Sequence, residues 1–254
     1  MTGVLEIVPQ GRVLRVSMNR PEKRNALSAE LCRALVETLE DAGRAPGVGA
    51  ILLEAKGKSF SAGMDLSEIG PVDSEEINQA HERLFTIGAR LTKPLVGSVR
   101  GAALGGGMGL VANCHIVIAA EDASFGLTEI RLGLWPFLVY RALGMALGER
   151  RTLELALTGR IFGASEAKEM GLAHEIAADA GARALEVAQA VAGWSPSAVR
   201  SGFEYVHEVR GKDWETAGGI ARRIRNETFE HPDFREGIQA FREKRAPKWP
   251  SLGA

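Results

Sequence analysis

Residues 103–110 read Ala-Leu-Gly-Gly-Gly-Met-Gly-Leu, so four of the five positions from 105 to 109 are glycine. Such a run offers backbone chemistry rather than side-chain chemistry. The apolar, β-rich stretch 94–100 before it reads as a strand, and residues 106–114 can turn into a helix. The glycines therefore sit at a strand-to-helix junction, where backbone N–H groups can approach a ligand closely. A helix N-terminus adds unpaired donors and a dipole that favours negative charge. This device can bind a phosphate, or it can hold the oxygen of an enolate. Gly109 offers no side chain where an enzyme could have placed an acid.

A second chemical element is Ser59-Phe60-Ser61-Ala62-Gly63-Met64-Asp65-Leu66. Small residues stand where the backbone must bend, and Asp65 can cap a following helix. Taken alone, this reads equally well as a simple turn with an N-cap. Several familiar sites are excluded. Leu110 occupies the third glycine position of a dinucleotide-binding G-x-G-x-x-G, and no phosphate-loop lysine and serine follow the glycines. Gly97-Ser98-Val99-Arg100-Gly101 lacks the central serine of a nucleophile elbow. The five histidines never form H-E-x-x-H, and Cys32 and Cys114 form no C-x-x-C.

The elements that position these residues alternate through the first half. Residues 4–8 and 12–18 read as strands joined through Pro9-Gln10-Gly11. A loop over 19–25 leads to Ser28, a good N-cap for an amphipathic helix over 29–43. A strand over 49–54 and a loop over 56–65 follow, then a polar segment, 71–76, and a helix to about residue 91. Further strands are expected at 95–99, at 115–119 and near 123–125. From about Pro136 helical periodicity dominates, over 139–147, 150–158, 181–193, 197–209, 214–228 and 234–244. Strand–helix alternation points to an α/β fold with a parallel core. The helical second half reads as an oligomerising or lid-forming extension.

The chain has 254 residues, 45% hydrophobic and 25% charged, which suits one large domain or a domain plus an extension. A net charge of −1 argues against a nucleic-acid binder that works by broad phosphate neutralisation. Two distant thiols fit small core residues in a reducing compartment. Charged and polar residues interrupt the first apolar stretch, so no signal peptide is expected. No apolar run reaches the roughly 18–20 residues that span a bilayer. A cytoplasmic protein is expected.

Together with Asn19-Arg20-Pro21-Glu22-Lys23-Arg24-Asn25-Ala26-Leu27, the two chemical elements resemble, in order and spacing, the crotonase (enoyl-CoA hydratase/isomerase) superfamily. Further matches are residues 125–133, Leu157-Thr158-Gly159, the helix pattern around 164–171, and the tail from Phe234 to Arg245. The resemblance covers essentially the whole chain. It implies a spiral core of ββα turns over 1–195 and a helical region over 196–254 that assembles trimers, often stacked into hexamers. It also implies an acyl-CoA thioester as ligand, with no separate cofactor because coenzyme A is part of the substrate.

By the same resemblance the backbone N–H groups of Met64 and Gly106 form an oxyanion hole. Loss of one such donor typically costs about 3–4 kcal/mol. Lys23, Arg24, Ala26, Ala62, Asp65 and Leu66 would border the CoA groove, with Phe241 and Lys244 reaching its adenine end from a neighbouring subunit or helix. Lys23, Arg24 and Lys244 read equally as ordinary solvated charges. Hydratases of this family carry one glutamate two residues beyond the glycine triplet and a second in the segment matching Thr128-Glu129-Ile130. Here those positions are Gly109 and Glu129. Water addition is easiest with two carboxylates, whereas moving a proton between C2 and C4 of an enoyl thioester needs one. Glu129 is therefore expected as sole acid/base of an isomerase-type reaction. Hydration with a non-standard second group is an alternative, and so is a CoA-binding homologue without catalysis. Trp135 and Phe137 depart from the family's glycine-rich turn and would line the acyl pocket. Asp73, Glu75 or Glu76 could supply another acid from a lid, although acids in a loop are usually just solvated.

Overall fold

Short apolar runs of five or six residues alternate with amphipathic stretches along most of the chain, and the polypeptide winds accordingly. The computed structural model describes residues 3–68 and 75–252, and of Glu76 the backbone alone. Strand β1 (Leu5–Gln10) and strand β2 (Val13–Met18) form an antiparallel hairpin in which Gln10 pairs with Val13. The turn is thus Gly11-Arg12, with Gly11 at φ +59°, and not the expected Pro9-Gln10-Gly11. Pro9 is tolerated inside β1 because that strand is the sheet edge, where a missing N–H need not break a ladder.

Ser28 caps helix α1 (Ala29–Arg44), its hydroxyl accepting from the Leu31 N–H. The chain continues through strand β3 (Ala50–Ala55), helix α2 (Glu75–Phe85) and strand β4 (Leu95–Val99). Strand β5 (Ala102–Leu104) then leads into helix α3 (Gly106–Ala112). Strands β6 (Ile116–Ala120) and β7 (Ser124–Gly126), and helices α4 (Phe137–Leu147) and α5 (Glu149–Thr158), follow. Next come strand β8 (Ile161–Gly163), helix α6 (Ala164–Met170), strand β9 (Glu175–Ala177) and helix α7 (Ala180–Ala192).

The main sheet has the order β1-β2-β3-β4-β6-β9, parallel from β2 onward, and a second sheet has the order β5-β7-β8. Both faces of the main sheet are covered, as parallel sheets require. One face meets the large core of α1 to α6. The other is covered by α7 through Ala180, Ala184, Ala188 and Ala192, spaced by four residues and packed on Leu52, Val96 and Ile118.

The strand that delivers the glycine run is β5, in the second sheet, rather than the stretch 94–100. Gly101, at φ +59°, turns the chain between β4 and β5 and leaves no room for a Cβ, which would overlap the Lys58 carbonyl. The three residues of β5, Ala102-Ala103-Leu104, hold no β-branched or aromatic residue and so give no strand signal in the sequence.

The last helices, α8 (Pro196–Glu208), α9 (Trp214–Glu230) and α10 (Pro232–Glu243), pack chiefly on one another. Asp233, 1% exposed, ties them together, with Oδ2 accepting from the hydroxyls of Ser195, Ser197 and Ser251 and Oδ1 from the Ser251 N–H. Burial works against its charge, but the donors from Ser195, Ser251 and Ser197 outweigh it and hold the carboxyl down at about 2. Its contribution is therefore present above the ordinary carboxylate range and lost as pH falls towards 2. Asp233→Asn is expected to lower the unfolding free energy by about 2 kcal/mol near neutral pH, with the two proteins converging in acid. Urea denaturation at neutral and acidic pH measures this.

Candidate active site

Three loops meet at one point because buried polar groups leave them no alternative. Asn25, fully buried and at φ +50°, donates through Nδ2 to the carbonyls of Lys56 and Ser59, and its Oδ1 accepts from the Arg20 N–H. Its own carbonyl accepts the Ser61 hydroxyl at 2.8 Å. Loop 19–27 is thereby fixed to loop 56–65. Ser61 in turn bonds both Ala102 and Leu104, which fixes loop 56–65 to β5.

The next residues carry the consequence. Leu27 donates to the Gly63 carbonyl at 2.7 Å and accepts from the Asp65 N–H at 3.1 Å. In a parallel bridge of this kind the intervening residue, Met64, turns its own N–H to the opposite side. Met64 and Gly106 both line a cleft of about 210 Å³. Gly106 opens α3, so its N–H has no partner inside the helix. Among the described residues neither N–H donates to another protein group. Gly63 (φ +90°) makes the approach possible, since a Cβ there would stand 2.8 Å from the Leu104 carbonyl and 3.4 Å from the Gly106 nitrogen. A Cβ on Gly107 would meet the Ser61 carbonyl at 2.6 Å. Two unpaired donors at a helix N-terminus can stabilise an oxyanion.

Glu129 reaches the same cleft from a short 3-10 helix, Glu129–Leu132, which ends at left-handed Gly133. Its Oε1 lies 3.0 Å from where a Cβ on Gly105 would be, so the carboxyl rests against the glycine turn. Oε2 is buried and has no hydrogen-bond partner. Burial pushes its pKa above the ordinary value of 4.5, opposed only by its own backbone amide. A carboxyl so placed is suited to taking and returning a proton.

The flank of α3 beyond Glu129 is apolar and full. A Cβ on Gly109 would lie 2.2 Å from Val139 Cγ1, 2.6 Å from Val139 Cβ and 3.4 Å from Phe85 Cδ1. Both side chains are buried. Position 109 therefore has no room for a carboxylate side chain.

The other candidate residues divide. Trp135 and Phe137 line the cleft, and Phe137 is 72% exposed. Asp65 borders it with its carboxylate already engaged: Oδ1 accepts from the Ser67 hydroxyl and N–H, and Oδ2 pairs with Arg20 at 2.9 Å. Those bonds, the Ser67 hydroxyl foremost, hold its pKa below the usual range despite burial. Lys23, Arg24, Ala26, Ala62 and Leu66 lie on the loops beside the cleft without lining it, and Ala62 bonds back to the Arg24 carbonyl. Phe241 (84% exposed) and Lys244 lie at the end of α10 and do not line the cleft of their own chain. Asp73 falls outside the described residues, as does the Glu76 side chain, and Glu75 is exposed on α2. Sequence reading missed Leu27, Glu68, Asn78, His81, Phe85 and Val139 as lining residues. Asn78, His81 and Phe85 follow helical spacing on α2 and could have been found as one face.

The cysteines are free and buried, and burial pushes both thiols up to about 12. No helix among the described residues is long and apolar enough to cross a membrane.

Comparison with known proteins gives consistent results. The family described as "Enoyl-CoA hydratase/isomerase" matches residues 9–251. An enoyl-CoA hydratase of Mycobacterium tuberculosis is 36% identical over 250 residues, covering 94% of each chain. A mevalonyl-coenzyme A hydratase of Aspergillus fumigatus is 32% identical over 261 residues, covering 97% of this chain and 94% of its own. The crystal structure of an enoyl-CoA hydratase from Mycobacterium smegmatis superposes with a TM-score of 0.91 at 30% identity, covering 98% of this chain and 99% of that one.

Two outcomes are expected from this geometry. Glu129 holds its proton more tightly folded than unfolded, so its ionisation lowers stability as pH rises past its ordinary value. Glu129→Gln should therefore raise the melting temperature near neutral pH and leave it unchanged near pH 4, as read by calorimetry. Gly109→Ala should destabilise by about 1–3 kcal/mol through overpacking. Adding Val139→Ala in the same chain should recover much of that loss in urea denaturation.

Proposed function

The chain belongs to the enoyl-CoA hydratase/isomerase family, and from that premise we propose that it moves the double bond of an enoyl-CoA thioester by a single-carboxylate proton transfer. The thioester carbonyl oxygen accepts hydrogen bonds from the Met64 and Gly106 N–H groups. Glu129 removes a proton from C2 of a 3-enoyl-CoA, and the electrons left behind pass to the carbonyl oxygen as an enolate. The two donors and the α3 dipole stabilise that charge. Protonated Glu129 then delivers the proton to C4, and the double bond comes to rest between C2 and C3. One group serves as base and then as acid, which its raised pKa favours.

The observation that carries this reading is the contrast within one cleft. Glu129 Oε2 is buried and without a partner, while Val139 and Phe85 fill the flank beside Gly109. A second reading, water addition across a 2-enoyl-CoA, is favoured by the hydratase names of the relatives. It needs a group other than position 109 to hold the water, and His81 and Glu68 are polar residues of the same cleft. Lys23, Arg24, Ala26, Ala62, Asp65 and Leu66 form the proposed CoA rim. Phe241 and Lys244, exposed on α10, meet the CoA of another copy in the proposed trimer. The helical region over 196–254 supplies that assembly, and two buried thiols suit a cytoplasmic setting.

Turnover of 3-enoyl-CoA and 2-enoyl-CoA substrates of several chain lengths separates the readings. Conversion of the 3-enoyl thioester to its conjugated isomer is expected. Glu129→Gln should lower kcat by about 10²-fold or more. In the wild type kcat/KM should fall in acid with an apparent pKa above the ordinary glutamate value. Full turnover by Glu129→Gln would refute the proposal.

A further inference from the structure

Val139 stands where it can decide which atoms share the cleft with Glu129. The Gly109 N–H donates to the Gly105 carbonyl at 3.1 Å, so Gly105, the N-cap of α3, stands one helical turn before Gly109. Glu129 Oε1 rests against the first and Val139 Cγ1 against the second. The Val139 side chain is 3% exposed, in the first turn of α4, and Phe85 backs it from α2. A buried water needs two or more polar partners, and an apolar space of this kind stays dry. We infer that Val139 is the reaction-selecting residue: it withholds water from the space one turn beyond Glu129, confining the carboxylate to carbon-to-carbon proton transfer. The inference rests on the isomerisation reading above and adds to it the residue that enforces it.

The alternative chemistry defines what Val139 suppresses. In hydration, water oxygen bonds to C3 as the C2–C3 π bond breaks. The water proton passes to Glu129, and Glu129 returns it to C2. Isomerisation uses the same carboxylate and no water. Val139→Ser opens the space and supplies a hydroxyl, so a water there has that hydroxyl and Glu129 as partners. Val139→Ala opens the space without a polar partner and leaves it dry.

The test compares wild type, Val139→Ser and Val139→Ala with 3-enoyl-CoA and 2-enoyl-CoA, reading the ratio of 3-hydroxyacyl-CoA formation to double-bond migration. Val139→Ser should raise that ratio at least about tenfold, while Val139→Ala stays within about threefold of wild type. Val139→Thr exchanges one methyl for the same hydroxyl and opens less of the space, so its ratio should lie between those of wild type and Val139→Ser, and it replaces Val139→Ser if that variant does not fold. An unchanged ratio in the hydroxyl variants, with wild-type isomerisation intact, overturns this inference alone. An equal rise in Val139→Ala also overturns it, because loosened packing would then suffice. A wild type that hydrates without isomerising overturns both readings, since water then enters with Val139 in place. A wild type inert towards both substrates overturns the isomerisation reading. Hydration acquired by Val139→Ser then sustains the seal, and its continued silence overturns it.

Discussion

Two backbone segments touch at Gly63 and Gly106 with no side chain between them, and the rest of the site follows from that contact. Any Cβ at position 63 would press on the Leu104 carbonyl, and any at 107 on Ser61. Only glycine at position 63 lets the chain pass this close to the start of α3. The approach is held by polar groups buried around it. Asn25 bonds four backbone or side-chain partners across two loops, and Leu27 bridges Gly63 and Asp65. Each is buried, so losing one partner leaves a desolvated group unpaired, which makes the arrangement cooperative.

The same dryness acts on the chemistry. Burial that excludes water from Val139 and Phe85 also raises the pKa of Glu129 and leaves its outer oxygen without a partner. A carboxylate solvated by water would be a weaker base at neutral pH. The apolar wall therefore tunes the carboxyl it stands beside. The strain is local: Asp65 and Asp233, buried as well, are satisfied by donors and shift the opposite way.

Much of this was legible in the sequence. The helices over 29–43, 181–193 and 214–228 match α1, α7 and α9 to within about two residues, because caps and apolar periodicity mark them independently. Met64, Gly106 and Glu129, each from a different motif, line one cleft. Strands β5, β8 and β9 escaped, since each is only three residues long and its pairing is set by tertiary contacts; β7, equally short, showed only because Phe125 sits in a β-rich stretch. Val139 escaped for a related reason. As the start of a helical pattern it looked like ordinary core, and its meaning lies in its distance to Gly109, a contact across thirty residues of chain.

The acid, the aromatic wall and the plug all fall between Glu129 and Val139, eleven consecutive residues, while the paired amide donors come from elsewhere in the chain. In the proposed mechanism the scaffold thus keeps its charge-holding machinery and its reaction-choosing machinery on separate stretches of polypeptide. A lineage could rewrite the short stretch by a few codon changes and inherit the amide pair intact. New reactivity would then arise by local revision, with the proposed grip on a thioester preserved throughout.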